Sequence, residues 1–307
     1  MFTSELISIY FCQTGSNQQN CLTFIRIDDT LIFTLVKPSG KYLLQDHQRP
    51  QRRLTMDCSD VLFEKTGALA TITLNRPDKV NALSKQMRSA LDRRLRQAAE
   101  DASVQVVLIC GAGASFCGGL DLTDLPDSPL TWRERVLAAQ ANHMAIVRMP
   151  KIVIAAVQGS VVGGGASLAL SADILIMADN AHLSFPFVRL GIVPDGGSSY
   201  FLQAKLGVPL ALDLLLTGGK LEASEAARLG LTRRLVPADE LLPAARKLAN
   251  DLIKLPPEAG MLTKSLCRQY WGSQLDSVLS HEADTFGLAT TTPGHLQAIA
   301  QLSSRSQ

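Results

Sequence analysis

The sequence lacks any run of about 18 or more apolar residues, so it offers no transmembrane helix. It also lacks a charge excess: Lys+Arg 30 against Asp+Glu 28 leaves +2 at pH 7. That balance gives no ground for a nucleic-acid or membrane partner, although a local cationic patch for a phosphorylated ligand is compatible with it. The chain begins without a basic start, a continuous apolar core and a small-residue cleavage site, so no secretory signal is expected. The six cysteines (Cys12, Cys21, Cys58, Cys110, Cys117, Cys267) form no C-x-x-C pair and no zinc-type spacing. No metal site is expected from them, and reduced thiols in a cytoplasmic protein are the simplest reading. Repeats and low-complexity tracts are absent.

What is present is the composition of a globular protein. Hydrophobic residues make up 46% and charged residues 19% of 307, enough for a substantial core. Residues 1–55 differ from the rest. Stretches around Leu22–Ile27 and Leu31–Val36 have strand character and could pair through Asp28-Asp29. A polar, basic stretch, Gln45–Arg53, follows. The expectation is a poorly ordered extension, or the product of an upstream start codon, with the domain opening at Met56.

From Val61 onward strands and helices alternate. Val61–Glu64 and Ala68–Leu74 read as strands with a turn at Gly67. Ser84 can cap a helix reaching about Ala102, with Leu83, Met87, Leu91, Leu95 and Ala98 on one face. Val104–Cys110, Ile152–Val157 and Ile174–Ala178 read as strands buried on both faces. This alternation predicts an α/β core over residues 56–255 with a largely parallel sheet. Beyond Gly196 helices dominate: Leu210–Leu216, Ala223–Leu229, Leu241–Leu255, Glu258–Trp271 and Leu275–Leu288. Residues 256–307 are expected to be an all-helical C-terminal region.

Two glycine-rich loops follow buried strands, Gly111 to Asp121 and Gly159 to Ser167. Neither has the glycine spacing of a nucleotide loop. A glycine run opening a helix presents unpaired N–H groups and the positive end of the helix dipole. Two such groups converging from two loops make an oxyanion hole, where removal of one donor typically costs about 10²–10³ in rate. Close helix–sheet packing would account for either loop alone. Two loops of one type favour function.

Several segments together resemble the crotonase (enoyl-CoA hydratase/isomerase) superfamily: Ile72 to Leu83, Phe116 to Leu122, Ala155 to Gly165 and Phe185 to Gly197, with Leu216 to Pro237 in matching order. The resemblance spans roughly Val61 to Tyr270. It implies a spiral of ββα units with a helical C-terminal region that mediates trimers, often paired into hexamers. It implies oxyanion donors at the N–H groups of Leu120 and Gly164, flanked by Gly118, Gly119, Asp121 and Gly163. It implies an acyl-CoA substrate, with CoA along Lys79, Val80 and Ala82 and a phosphate contact at Lys264; a solvated surface lysine is the plain alternative for each Lys. CoA belongs to the substrate, and no separate cofactor is implied.

The chain departs from that pattern where the family's hydratases carry two Glu residues. Those positions are Ser167 and Phe187 here. Ser167 cannot activate water without a base, and Phe187 cannot do so at all. One acid remains nearby, Asp195, in a segment most like that of epoxide isomerases of aromatic acyl-CoA breakdown. A related dehalogenase branch uses Asp at this place as nucleophile. Apolar surroundings would raise its pKa and suit a proton shuttle; shaping a Pro-Asp-Gly turn is the simpler role. The expectation is therefore an enoyl-CoA isomerase using Asp195. The alternatives are a hydratase-like enzyme, a non-catalytic acyl-CoA-binding protein, and a serine hydrolase built on Ser167, Asp195 and His281. Cys117 has no His near it in sequence, and none of the five histidines lies in a motif.

Overall fold

The computed structural model describes residues 21–27, 30–36 and 60–305. The chain divides into two units, Met1–Met56 and Asp57–Gln307. In the first, β1 (Cys21–Ile27) pairs antiparallel with β2 (Thr30–Val36), as the sequence suggests. The expected turn at Asp28-Asp29, and the rest of the expectation for residues 1–55, fall outside the described residues.

The second unit is built on β3 (Val61–Thr66), β4 (Leu69–Leu74), α1 (Lys85–Glu100), β5 (Val106–Gly111), α2 (Pro129–Arg148), β6 (Ile152–Val157), β7 (Ser160–Val162), α3 (Gly164–Ser171), β8 (Ile174–Ala178) and β9 (His182–Ser184). There follow α4 (Ser198–Leu206), α5 (Val208–Thr217), β10 (Lys220–Glu222), α6 (Ala223–Arg228), β11 (Leu235–Val236), α7 (Leu241–Ile253), α8 (Pro257–Ala289) and α9 (Pro293–Arg305). A six-stranded sheet runs in the order β11-β8-β6-β5-β4-β3. Only the β3–β4 pair is antiparallel. A second sheet, β10-β9-β7, has three strands.

The path between the two sheets makes the spiral. β6 lies in the large sheet and β7 in the small one, and α3 returns the chain. The next turn repeats this with β8 and β9. The two earlier turns leave only single parallel bridges on the small-sheet side, Leu83 with Leu120 and Cys117 with Val161. Those bridges fall in the glycine loops, so the repeat itself brings the loops together.

Local chemistry fixes the elements. Ser84 caps α1 by accepting from Met87 N–H at 3.2 Å. Met87, Leu91, Leu95 and Ala98 of α1 are buried against the sheet. Every residue of β5 is buried, as a central parallel strand requires. Ser128 and Thr131 form a capping box at the start of α2, with Pro129 in the first turn.

The C-terminal region differs from the sequence reading in two places. The two helices expected at Glu258–Trp271 and Leu275–Leu288 are one, α8, of 33 residues. A single Gly272 between them costs a helix only about 1 kcal/mol and does not end it. α9 lies in the region expected to be helical, although no separate helix was read there; Thr292, accepting from His295 N–H at 3.4 Å ahead of a Pro-led turn, is its start signal. Among the described residues no helix is long and apolar enough to cross a membrane.

Candidate active site

The loop after β5 is drawn onto the following turn of the spiral. Cys117 N–H donates to Ser160 O at 3.1 Å, and Val162 N–H donates to Cys117 O at 2.9 Å. Leu83 N–H donates to Gly119 O at 2.7 Å. Gly119 has φ +81°, and a Cβ there would stand 2.4 Å from Val162 O, so only glycine fits. That Cβ would also lie 3.6 Å from Gly164 N, which measures how closely the loops approach. Gly164 is the first residue of α3, so its N–H has no acceptor within the helix. No protein acceptor takes the Leu120 N–H among the described residues. Both expected oxyanion donors border one cavity of about 220 Å³.

Asp195 lines the same cavity. Its backbone is fixed, because Ser198 N–H and Ser198 Oγ donate to its carbonyl at 3.1 and 2.9 Å. The residue is half-buried, but its Oδ1 is buried and has no hydrogen-bond partner. A Cβ on Gly164 would stand 3.7 Å from that oxygen, so carboxyl and donor loop are neighbours. Burial pushes the Asp195 pKa up to about 6, with the Arg135 and Arg88 charges acting the other way. Phe187 is buried and forms apolar wall; its ring edge would touch a Cβ on Gly163 at 3.7 Å.

The expected CoA segment lies beside this loop. Lys79 and Val80 are exposed and Ala82 is half-buried. Val80 and Asn81 have φ of 53° and 54°. A left-handed, β-branched residue is unusual and needs restraint. Gly118 N–H supplies part of it by donating to Val80 O at 2.7 Å. The buried Asn81 supplies the rest: it accepts from Arg76 N–H and donates to the Ala112 and Ser115 carbonyls.

Two expected substrate contacts, Ser167 and Lys264, are corrected. Ser167 is fully buried outside the cavity, its Oγ 2.8 Å from Asp195 O, 3.2 Å from Gly163 O and beside Ser198 Oγ. It braces the Asp195 turn, and among the described residues Ser167 Oγ makes no bond to His281, which is exposed. Lys264 Nζ is taken by Asp173 at 2.8 Å and by the Ile146 and Lys151 carbonyls at 3.0 and 2.9 Å. An ammonium has three donors, so none is left for phosphate. Lys264 lines a separate cavity of about 870 Å³, which holds neither glycine loop nor Asp195. Asp121 secures its loop: burial opposes its ionisation, but Thr123 and Arg76 outweigh this and hold its pKa at about 2.

Four site residues gave no signal in the sequence. Arg88 of α1 and Arg135 of α2 both line the Asp195 cavity. His143 lines it too, with ring nitrogens at the Ala139 and Gly164 carbonyls; burial lowers its pKa, with those two bonds acting the other way. Glu282 of α8 is buried and accepts from Gly197 N–H at 2.8 Å, Ser199 N–H at 3.3 Å and Ser199 Oγ at 2.5 Å. Burial, against those bonds, pushes its pKa up to about 7. α8 reaches this turn from 85 positions along the chain, which is why no local motif announces Glu282.

Residues 64–296 match the family model described as enoyl-CoA hydratase/isomerase. The chain is 31% identical over 246 residues to a short-chain-enoyl-CoA hydratase of Clostridium acetobutylicum, covering 80% of this chain and 94% of that protein. It is 33% identical over 247 residues to a 1,2-epoxyphenylacetyl-CoA isomerase of Escherichia coli, covering 78% and 94%. A crystal structure of an enoyl-CoA hydratase from Mycobacterium avium superposes with a TM-score of 0.74 at 29% identity, covering 79% of this chain and 98% of that one. Fold and sequence therefore agree on one class, the crotonase fold. The chain belongs to the enoyl-CoA hydratase/isomerase family.

Proposed function

We propose that the protein is an acyl-CoA isomerase that passes through a thioester enolate, with Asp195 moving the proton. The observation that carries this is one buried, unpartnered carboxylate oxygen beside the Gly164 donor, in a cavity where Phe187 stands and Ser167 is turned away. The thioester oxygen accepts from the N–H groups of Leu120 and Gly164. Asp195 removes a proton from the carbon next to the carbonyl or from its vinylogous position. The negative charge that develops on the thioester oxygen meets donors already in place. Asp195 then returns the proton to the other carbon, and the double bond has moved.

Hydration needs a second group to activate water. Among the described residues, no other carboxylate lines the cavity, which favours proton transfer over water addition. CoA enters as part of the substrate, and the reaction as written calls for no further cofactor. A homotrimer or homohexamer in the cytoplasm accompanies this reading, and sedimentation tests the assembly.

The test is proton–deuterium exchange by NMR on enoyl- and phenylacetyl-type CoA esters, wild type against Asp195→Asn. Exchange is expected in the wild type and is expected to fall by about 10²–10⁴-fold in the variant. Its rate should rise with pH through about 6, because the base must be ionised and burial holds Asp195 protonated to that point. Exchange that survives Asp195→Asn, or a hydroxyacyl-CoA as the main product, would overturn the assignment.

A further inference from the structure

Two guanidiniums in a small apolar cavity call for an anion, and the protein supplies little. Arg88 and Arg135 line the Asp195 cavity, with side chains 10% and 7% exposed. Arg88 donates to Leu83 O at 2.6 Å. Arg135 donates to the carbonyls of Asp124 and Asp121. These acceptors are neutral. The carboxylate nearest both is Asp124, at 3.9 Å from Arg88 and 4.0 Å from Arg135, and its side chain is 41% exposed. Asp121, the other acid close by, is held by Arg76 at 2.8 Å.

The two cations thus share one distant, wet carboxylate. Burial lowers the Arg135 pKa to about 10, which still leaves it charged at neutral pH. Asp195 offsets part of the excess, but it is the group that takes up the proton. Each guanidinium carries five N–H donors in a rigid fork. Arg135 is further held over the Trp132 ring at 5.6 Å, which fixes its plane. A purely hydrocarbon acyl chain would bury these cations with only Asp124 and Asp195 to offset them, and that is costly.

We infer that the acyl group handled here ends in a carboxylate, bound by Arg88 and Arg135 in this cavity. The substrate class is a short unsaturated dicarboxylic acid joined to CoA through one carboxyl. Shortness follows from the cavity, about 220 Å³, against roughly 300–1,000 Å³ for sites that hold drug-sized ligands. This rests on the enolate reading of the same site and names its specificity residues.

Titration calorimetry with saturated esters separates binding from turnover. The probes are glutaryl-CoA and its ω-amide, which match in shape and differ in charge. The wild type is expected to bind the acid about 10- to 100-fold more tightly, the range of a charged hydrogen bond. Arg135→Gln and Arg88→Gln should each shrink that preference, whereas a role confined to tuning Asp195 would change both esters alike. Equal binding by the wild type, or a preference intact in both variants, overturns the inference. The first comparison needs no variant, so misfolding of either Arg substitution leaves it decisive. Asp195-dependent exchange on a neutral enoyl ester, without any preference for the acid, would overturn this inference while sparing the isomerase. A preference for the acid with no exchange on any ester would support it and overturn the isomerase.

Discussion

Asp195 is least comfortable in the folded protein at the pH where it can act as a base. Its carboxyl keeps a proton to about pH 6 in the folded protein, against 3.8 for an ordinary aspartate. Between those values the folded state binds more protons than the unfolded one, so stability falls as pH rises. Above about pH 6 the full cost is present, on the order of 3 kcal/mol. Asp195→Asn should therefore be more stable than wild type at pH 8, by up to roughly that amount, and by far less below pH 4. Urea midpoints at the two pH values check this, and a variant no more stable at pH 8 would contradict a desolvated carboxylate. At this scale the sequence was informative wherever chemistry sits in short contiguous motifs. Leu120, Gly164, Phe187 and Asp195 were legible for that reason and share one cavity. Arg88 and Arg135 were not: each lies on a helix face, and only packing reveals that the face is buried beside Asp195.

Elements were legible in proportion to their length and burial. β6 and β8 match the expected ranges residue for residue, because both are apolar runs with clear ends. β7, β9 and β10 have three residues each and β11 has two, too few to show alternation. α8 was split in the sequence reading, yet its continuity matters to the site. It carries Glu282 to the Gly197–Ser199 turn, where one carboxylate serves both backbone N–H groups and the Ser199 hydroxyl. Glu282→Ala leaves those donors without their acceptor. Each buried orphan costs about 1–3 kcal/mol, so a lower denaturant midpoint at unchanged m-value is expected. Glu282→Gln keeps an acceptor and should recover part of the loss. Equal midpoints for wild type and Glu282→Ala would show that the turn stands without α8.

At the scale of the whole unit, one half-buried acid ties distant segments. Asp173, between α3 and β8, accepts from Val153 N–H at 2.8 Å and pairs with Lys264 and Arg268 of α8 at 2.8 and 3.0 Å. Asp173→Asn would take the carboxylate from Lys264 and Arg268, and breaking a buried pair typically costs about 3–5 kcal/mol, an upper bound for this half-buried one. A thermal melt should show that loss, while Asp239→Asn, at an exposed position, should show none. The spiral itself was expected only from family resemblance. Alternating strands and helices indicate a parallel sheet, but division between two sheets depends on strands too short to read.

The bond from Gly197 N–H to Glu282 joins positions 85 apart. Chains are made from the N-terminus, and both sheets and both glycine loops precede α8. They can settle before the residue that secures the Asp195 turn has been synthesised. The Asp195 turn can therefore be secured only once α8 has been made and has docked, later in synthesis than the sheets and loops it serves.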